Sequence, residues 1–175
     1  MNLDRYHYII SNDYQKYLFY SDGPSGRIKK VVTYTKLLDE PVTYNLGFGD
    51  ESVAGVVDDA IVSNNEDRDM VLATVASTIN LFCDHYGNHF IYSEGSTPVR
   101  TRLYQMGISR LWEEISLNFQ VLGFINDDWE DFQHNVNNEA FLLKRKQHGI
   151  LGHNYEGKLI CLQLRKQFKT LCNKM

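Results

Sequence analysis

The chain is poor in cysteine. Three residues, Cys83, Cys161 and Cys172, stand unclustered among 175. That argues against a disulfide framework and points to a reducing, cytoplasmic compartment. No apolar run approaches the roughly 20 residues of a membrane span, so none is expected. The start, MNLDRYHY, carries an acid and no long apolar run, so it does not read as a signal peptide. A P-loop, a GxGxxG fingerprint and a serine in a nucleophile elbow are all missing, which removes the commonest nucleotide-binding and hydrolase signatures. Metal binding is not expected either. Cys83, His85 and His89 are close in sequence, but a helix end at Gly87 falls between them and no fourth ligand accompanies them. Internal repeats and low-complexity segments are absent.

Charge is unevenly distributed. The net charge of −4 combines a basic C-terminal segment, residues 144–175, of about +7 with a remainder of about −11. The acidic body argues against nucleic acid, while the basic tail suits an anionic partner. A length of 175 residues suits one domain, here residues 1–146, followed by a linker and tail over 147–175.

The first half reads as an antiparallel meander. Strands are expected at Tyr14–Tyr20, Arg27–Lys36, Val42–Phe48 and Val56–Ser63. The turn Asp22-Gly-Pro-Ser-Gly26 joins the first two as a hairpin, and Asp39-Glu-Pro41 separates the next pair. Asn64 and Asn65 are expected to cap a long helix from Glu66 to about Tyr86, with an apolar stripe at Val71, Val75, Ile79 and Phe82. A strand at 89–95 follows and should run parallel to 56–63, with the helix crossing over one face. Ser109 to about Leu117 reads as a short helix, Phe119–Ile125 and Ala140–Lys144 as strands, and Asn126–Asn138 as an acidic loop. Asp58 and Asp59 are adjacent on a strand and so face opposite sides.

The densest polar stretch is His89–Ile108. Thr97 followed by Pro98 is a helix start: a hydroxyl N-cap, then proline at the first helical position. Val99, Leu103 and Met106 recur at helical spacing, and Gly107 is expected to end the helix. Free N–H groups at a helix start attract anions, and arginines beside them strengthen that. Ser93, Glu94, Ser96, Thr97, Arg100, Arg102 and Tyr104 therefore form the candidate site for a small anionic ligand. The competing reading is that Thr97 only caps the helix and the arginines pair with acids such as Glu94.

Beyond the linker at 148–157, Cys161, Leu164, Phe168, Leu171 and Met175 form an apolar stripe. Lys158, Arg165, Lys166 and Lys169 are among the intervening polar positions. This is a basic amphipathic helix, suited to docking on its own domain, to a protein partner or to an anionic surface.

The order of elements after the meander, strand–long helix–strand–helix–strand–strand, resembles the GCN5-related N-acetyltransferase fold over roughly residues 27–144. Arg68-Asp-Met-Val-Leu-Ala73 stands where that family carries an R/Q-x-x-G-x-G/A loop. Leu103-Tyr104-Gln-Met-Gly107-Ile108 is similar to its L-Y-x-x-x-G-F segment, one residue shorter. The resemblance implies a mixed, twisted α/β sheet, a coenzyme A site that includes Arg68, and Tyr104 as general acid. The loop is degenerate. Val71 replaces the glycine that lets backbone approach a pyrophosphate, and Glu66, Asp67 and Asp69 bring negative charge to the same place. The run EGSTPVRTRLYQMGI, with LATVAST before it and WEEIS after it, also resembles an uncharacterised bacterial domain family. The expectation is a ligand- or partner-binding domain of acetyltransferase-like fold. One alternative is an acyl-coenzyme A-dependent N-acyltransferase. There Tyr104 would protonate the leaving thiolate, and Glu94, or an Asp of the 58–59 pair, would take the amine proton. Coenzyme A or acetyl-coenzyme A is a cofactor only in that case. The other alternative is a protein-interaction module using the basic tail.

Overall fold

In the computed structural model, residues 4–51, 57–58 and 65–146 are described. They form a mixed, mostly antiparallel α/β fold with three helices and nine strands among the described residues. The strands are β1 (Tyr8–Ile10), β2 (Lys16–Gly23), β3 (Gly26–Asp39), β4 (Val42–Glu51), β5 (Val57–Asp58), β6 (Phe90–Ser93), β7 (Phe119–Ile125), β8 (Asp128–Asp131) and β9 (Ala140–Arg145). The helices are α1 (Arg68–Tyr86), α2 (Pro98–Arg110) and α3 (Trp112–Asn118). The sheet runs β1-β2-β3-β4-β6-β9-β7-β8, with β5 attached to β4.

The expected meander is present. β2, β3 and β4 pair antiparallel, and Gly23 faces Gly26 across a two-residue turn. The acidic segment after β7 is more ordered than a loop. Asn126 and Asp127 both adopt positive φ, 51° and 63°, and turn the chain into β8. Paired positive φ is what a tight hairpin demands, and Asn and Asp tolerate it. β1 was not expected either. It pairs with β2 at the sheet edge, too short to leave a periodic signal.

One topological expectation is corrected. β6 does run parallel to an earlier strand, but that strand is β4 and not the 56–63 segment. Only Val57 and Asp58 of that segment form a described strand, antiparallel to β4 at Glu51 and Asp50. Residues 52–56 and 59–64 lie outside the description, as do the side chains of Asp58 and Asp59. The physical reason is edge length. β4 is ten residues long and its free edge serves two partners. β5 takes its C-terminal end, and β6 takes Thr43–Asn45 near its start. No described strand pairs with this edge between Leu46 and Gly49.

The sheet buries two apolar faces. On the first, α1, α2 and α3 cover Tyr17, Phe19, Val32, Tyr34, Tyr44, Leu46, Ile91, Val121, Phe141 and Leu143. The stripe of α1 points inward, with Val71, Ile79 and Phe82 buried and Val75 packed against them. Phe82 stacks on Tyr34 at 4.1 Å between ring centroids, and the buried Tyr34 hydroxyl bonds Thr78 Oγ1 at 2.9 Å. Removing a buried ring of this kind costs about 3–5 kcal/mol. The second face holds Phe90, Tyr92, Leu122, Trp129, Ala140 and Leu142, with Leu37, Leu38 and Phe124 packed against them. A bulge between Lys36 and Leu38 shifts the β3 register and brings both leucines to this face.

The ends of the helices differ from expectation. α1 begins at Arg68, with Asp67 at its N-cap and no side-chain cap bond. Asn65 does not cap it. Asn65 is buried against the β2–β3 hairpin, where its amide donates to Ser21 Oγ at 2.9 Å and Gly26 O at 3.0 Å. Its Oδ1 accepts from Ser25 N at 2.9 Å. α2 starts as expected, with Thr97 at the N-cap and Pro98 in the first turn. It then runs through Gly107 to Arg110.

Candidate functional site

Beside β4 lies a cavity of about 90 Å³. Leu46 and Phe48 line it from β4, and Ser93 closes it from the end of β6. α1 contributes Leu72, Val75, Ala76 and Ile79, and α2 contributes Tyr104, Gly107 and Ile108. Leu111, Ile115, Phe141 and Leu143 also line it. Among the described residues the wall is apolar except for the hydroxyl-bearing Ser93 and Tyr104, with no Asp, Glu, His, Cys, Lys or Arg in it. Such a space accepts an apolar group and offers hydroxyls for orientation.

α2 roofs the cavity in an unexpected way. The Val99–Leu103–Met106 stripe is not its buried face, because Val99 is 68% and Met106 46% exposed. Arg100, Thr101, Gln105 and Gly107 are buried instead. Polar side chains can occupy that face because each described one is bonded. Thr101 Oγ1 accepts from Gly95 N at 3.1 Å and donates to Thr97 O at 3.3 Å. Gln105 Nε2 donates to Gln133 O at 3.1 Å, and its Oε1 accepts from Asn138 Nδ2 at 2.6 Å. Gly107 is a crossing point and not a stop. A Cβ there would come within 2.9 Å of both Leu72 methyl carbons.

The sequence-derived site residues divide into groups. Ser93 and Tyr104 meet at the cavity wall. Arg100 is buried, and its Nη2 donates to Phe48 O at 3.5 Å, on the part of the β4 edge that lacks a described strand partner. Thr97 caps α2 by accepting from Arg100 N at 3.3 Å, so one donor of the turn is already engaged. Gly95 N is engaged as well, by Thr101. Ser96 is exposed at this turn. Arg102 is exposed and bonds Asn137 Oδ1. Glu94 is exposed and accepts from the Tyr92 hydroxyl, and the Tyr92 ring packs on the second face. Glu94 and Tyr104 therefore address opposite faces of the sheet. Arg68 is exposed at the start of α1. Its neighbour Asp69 pairs with Arg110 at 2.6 Å, which is about 15 Å along α2 from Arg100.

The start of α1 does not suit a coenzyme A pyrophosphate. Val71 is buried in the core, and its N–H donates to Asp67 O at 3.0 Å. The Asp67 carboxylate accepts from the Tyr6 hydroxyl at 2.7 Å, so negative charge stands at this helix end. Arg68–Ala73 is helical from its first residue and presents no loop.

Titratable groups are mostly structural. Burial pushes the Cys83 thiol up to about 11, against the nearby Arg145 charge, which acts the other way. Hydrogen bonds from Lys29 and Lys16 hold the Glu51 carboxyl below its usual range. Lys30 and Asp50 form a buried pair at 2.5 Å across β3 and β4. His85 stacks on Tyr14 at 4.1 Å. Among the described residues, no group of three His, Cys, Asp or Glu could hold a metal ion. No described helix is long and apolar enough to cross a membrane.

Sequence reasoning missed Leu46, Phe48, Leu72, Ala76, Ile108 and Leu111 as cavity residues. The signal existed in part: Leu72, Val75, Ala76 and Ile79 form a second helical stripe beside the one that packs on the sheet. Nothing local reveals that β6 pairs with β4 at Thr43–Asn45 and, among the described residues, no further along it.

No curated protein and no solved structure matches the chain. A family of unknown function, DUF6934, matches residues 2–146, which end one residue after β9. The chain belongs to the DUF6934 family.

Proposed function

We propose that the domain binds a small molecule whose apolar part enters the cavity between β4, α1 and α2 and whose polar or anionic end lies toward Ser93 and the Ser96–Arg100 turn. The observation that carries this is the cavity itself, placed where β4 leaves β6 and roofed by a helix whose inward face is tied down by hydrogen bonds. An apolar cavity of about 150 Å³ accepts benzene. The smaller space here suits a short chain of about three or four carbons. Tyr104 and Ser93 would orient such a ligand.

The acetyltransferase-like reading of the fold rests on the meander, the α1 crossover and the insertion of β9 between β6 and β7. It is a reading of topology. The start of α1 favours binding without coenzyme A, and the separation of Glu94 from Tyr104 favours binding over acyl transfer.

Thermal unfolding of the full chain tests the proposal. Butyrate, 1-butanol, coenzyme A and acetyl-coenzyme A are compared at saturating concentrations. A ligand at one hundred times its Kd adds about 2.7 kcal/mol. A rise with butyrate or butanol and none with coenzyme A supports the proposal. A rise with acetyl-coenzyme A alone would favour acyl transfer instead.

A further inference from the structure

We infer that β1 is a dimerisation edge, at which a second copy of this chain adds its own β1 antiparallel and joins the two sheets into one. Residues 147–175, the basic segment, lie outside the described residues, so β1 and β8 are the two edges of the described sheet. The edges differ in chemistry. β8 carries Asp128, Glu130 and Asp131, and the last two are exposed. Charge on an edge strand keeps other strands away. β1 is Tyr8-Ile9-Ile10, without charge, and its Ile9 side chain is 68% exposed. Tyr8 and Ile10 pack against the core on the helix side, so Ile9 points to the other side of the sheet.

The backbone of this edge fits its own copy. Ser11 N donates to Lys16 O at 2.9 Å, which continues the β1–β2 register past Ile10. Bonded and non-bonded pairs alternate along an antiparallel ladder. Ile9 and Leu18 are therefore a bonded pair, and the N–H and C=O groups of Tyr8 and Ile10 point away from β2. No described residue bonds to them on that side. A two-fold axis at Ile9 sets Tyr8 opposite Ile10 of the second copy, and the reverse. Each such pair exchanges its N–H···O bonds in both directions. Ile9 then meets Ile9 of the second copy in the non-bonded position, where side chains approach most closely. Such self-complementarity is what a closed two-fold interface requires.

Charge at the ends of the strand suits the same partner. Arg5 precedes β1, and its Nη1 donates to Ser77 Oγ at 2.9 Å, next to the Tyr8 hydroxyl at 3.1 Å from the same oxygen. Asp13 stands in the turn after β1, and both residues are exposed. The two-fold brings Arg5 to the end of the edge where the second copy has its Asp13, and opposite charges there favour this register. No residue of β1 or β2 lines the cavity, so this edge is separate from the ligand site. The shared strand is short. An interface well below about 1,000 Å² makes a concentration-dependent dimer and not an obligate one.

The test is sedimentation equilibrium of the full chain from about 10 µM to about 1 mM, a range that brackets a small interface, together with amide hydrogen exchange. A monomer–dimer equilibrium is expected. The Tyr8 and Ile10 amides should gain protection as concentration rises, while the Ile9 amide, bonded within the chain, stays protected throughout. Ile9→Lys places like charges opposite each other at the two-fold and should weaken the dimer at least about tenfold. Ile9→Val keeps the apolar contact and should leave it in place. If the lysine variant loses its far-UV signal, the amide pattern of the parent decides alone. A monomer at the highest concentration overturns the inference. So does a dimer that a folded Ile9→Lys leaves intact, or one in which the Tyr8 and Ile10 amides exchange as fast as in the monomer.

Discussion

The Arg100 guanidinium lies 3.5 Å from the Phe48 carbonyl, at the stretch of β4 where no described strand supplies a hydrogen bond. A buried side-chain donor thus serves an edge carbonyl that the departure of β6 leaves behind. Buried backbone carbonyls need a partner, and a charged donor is a strong one. Arg100→Met should lower stability by about 1.5–3 kcal/mol, read by denaturant midpoint. Arg100→Lys should not restore it, because an ammonium lacks the planar reach of the guanidinium.

Gly107 sets the width of the cavity. Alanine gains about 1 kcal/mol in helix propensity over glycine. The added Cβ must displace the Leu72 methyl carbons, which sit 2.9 Å from its position at the end of a flexible side chain. These effects oppose each other, so Gly107→Ala should change stability by less than about 1 kcal/mol. Ligand-induced stabilisation should fall at least tenfold in apparent affinity, or about 1.4 kcal/mol. Thermal shift with butyrate measures both.

Asn65 clasps the first hairpin through Ser21, Ser25 and Gly26. Asn65→Ala removes three hydrogen bonds, one of them to the buried Ser21 hydroxyl, and should cost about 1–3 kcal/mol. Gly23→Ala should be at least as damaging, because its Cβ would fall 2.0 Å from Asn65 O. Hydrogen exchange should localise both effects to β2 and β3.

Alkali should destabilise the domain. The Cys83 thiol rises from 9.0 to about 11 on burial. Between those values the unfolded chain has released the proton while the folded chain holds it, so stability falls as pH rises. The contribution is complete below about pH 9 and lost through about pH 11, at up to about 1.4 kcal/mol per pH unit. Cys83→Ala should flatten unfolding free energy in that window. Burial also raises the hydroxyls of Tyr17 and Tyr34, so the decline continues at higher pH.

Tyr17 offers a contrast. Its buried hydroxyl has no hydrogen-bond partner among the described residues. Tyr17→Phe keeps the ring contacts with Tyr8 and Tyr34 and removes an unsatisfied oxygen. The variant should match or exceed the parent in chemical denaturation.

Much of the architecture was legible because it is written in local periodicity. The α1 stripe, the Thr97–Pro98 helix start, the β2–β3 turn and β7 each follow from short-range patterns. The parallel partner of β6 was misassigned because strand pairing depends on which edge is free, and VVDDAIVS has the same β-branched character as a strand that fills an edge. Asn65 looked like a cap because its hairpin partners are about forty residues earlier. In α2 the polar residues turn inward, since Gln105 and Thr101 find distant partners that hydrophobicity alone does not reveal. Of the described cavity residues, Ser93 and Tyr104 were legible as site candidates, through their place in the central polar stretch.

The most direct test of the ligand-binding account is methyl NMR of the full chain, labelled at Ile, Leu and Val, during titration with butyrate. The account predicts saturable shifts at Leu72, Val75, Ile79, Ile108 and Ile115, with Leu37 and Leu142 on the other face unchanged. An unchanged spectrum, or shifts confined to Leu37 and Leu142, would contradict it.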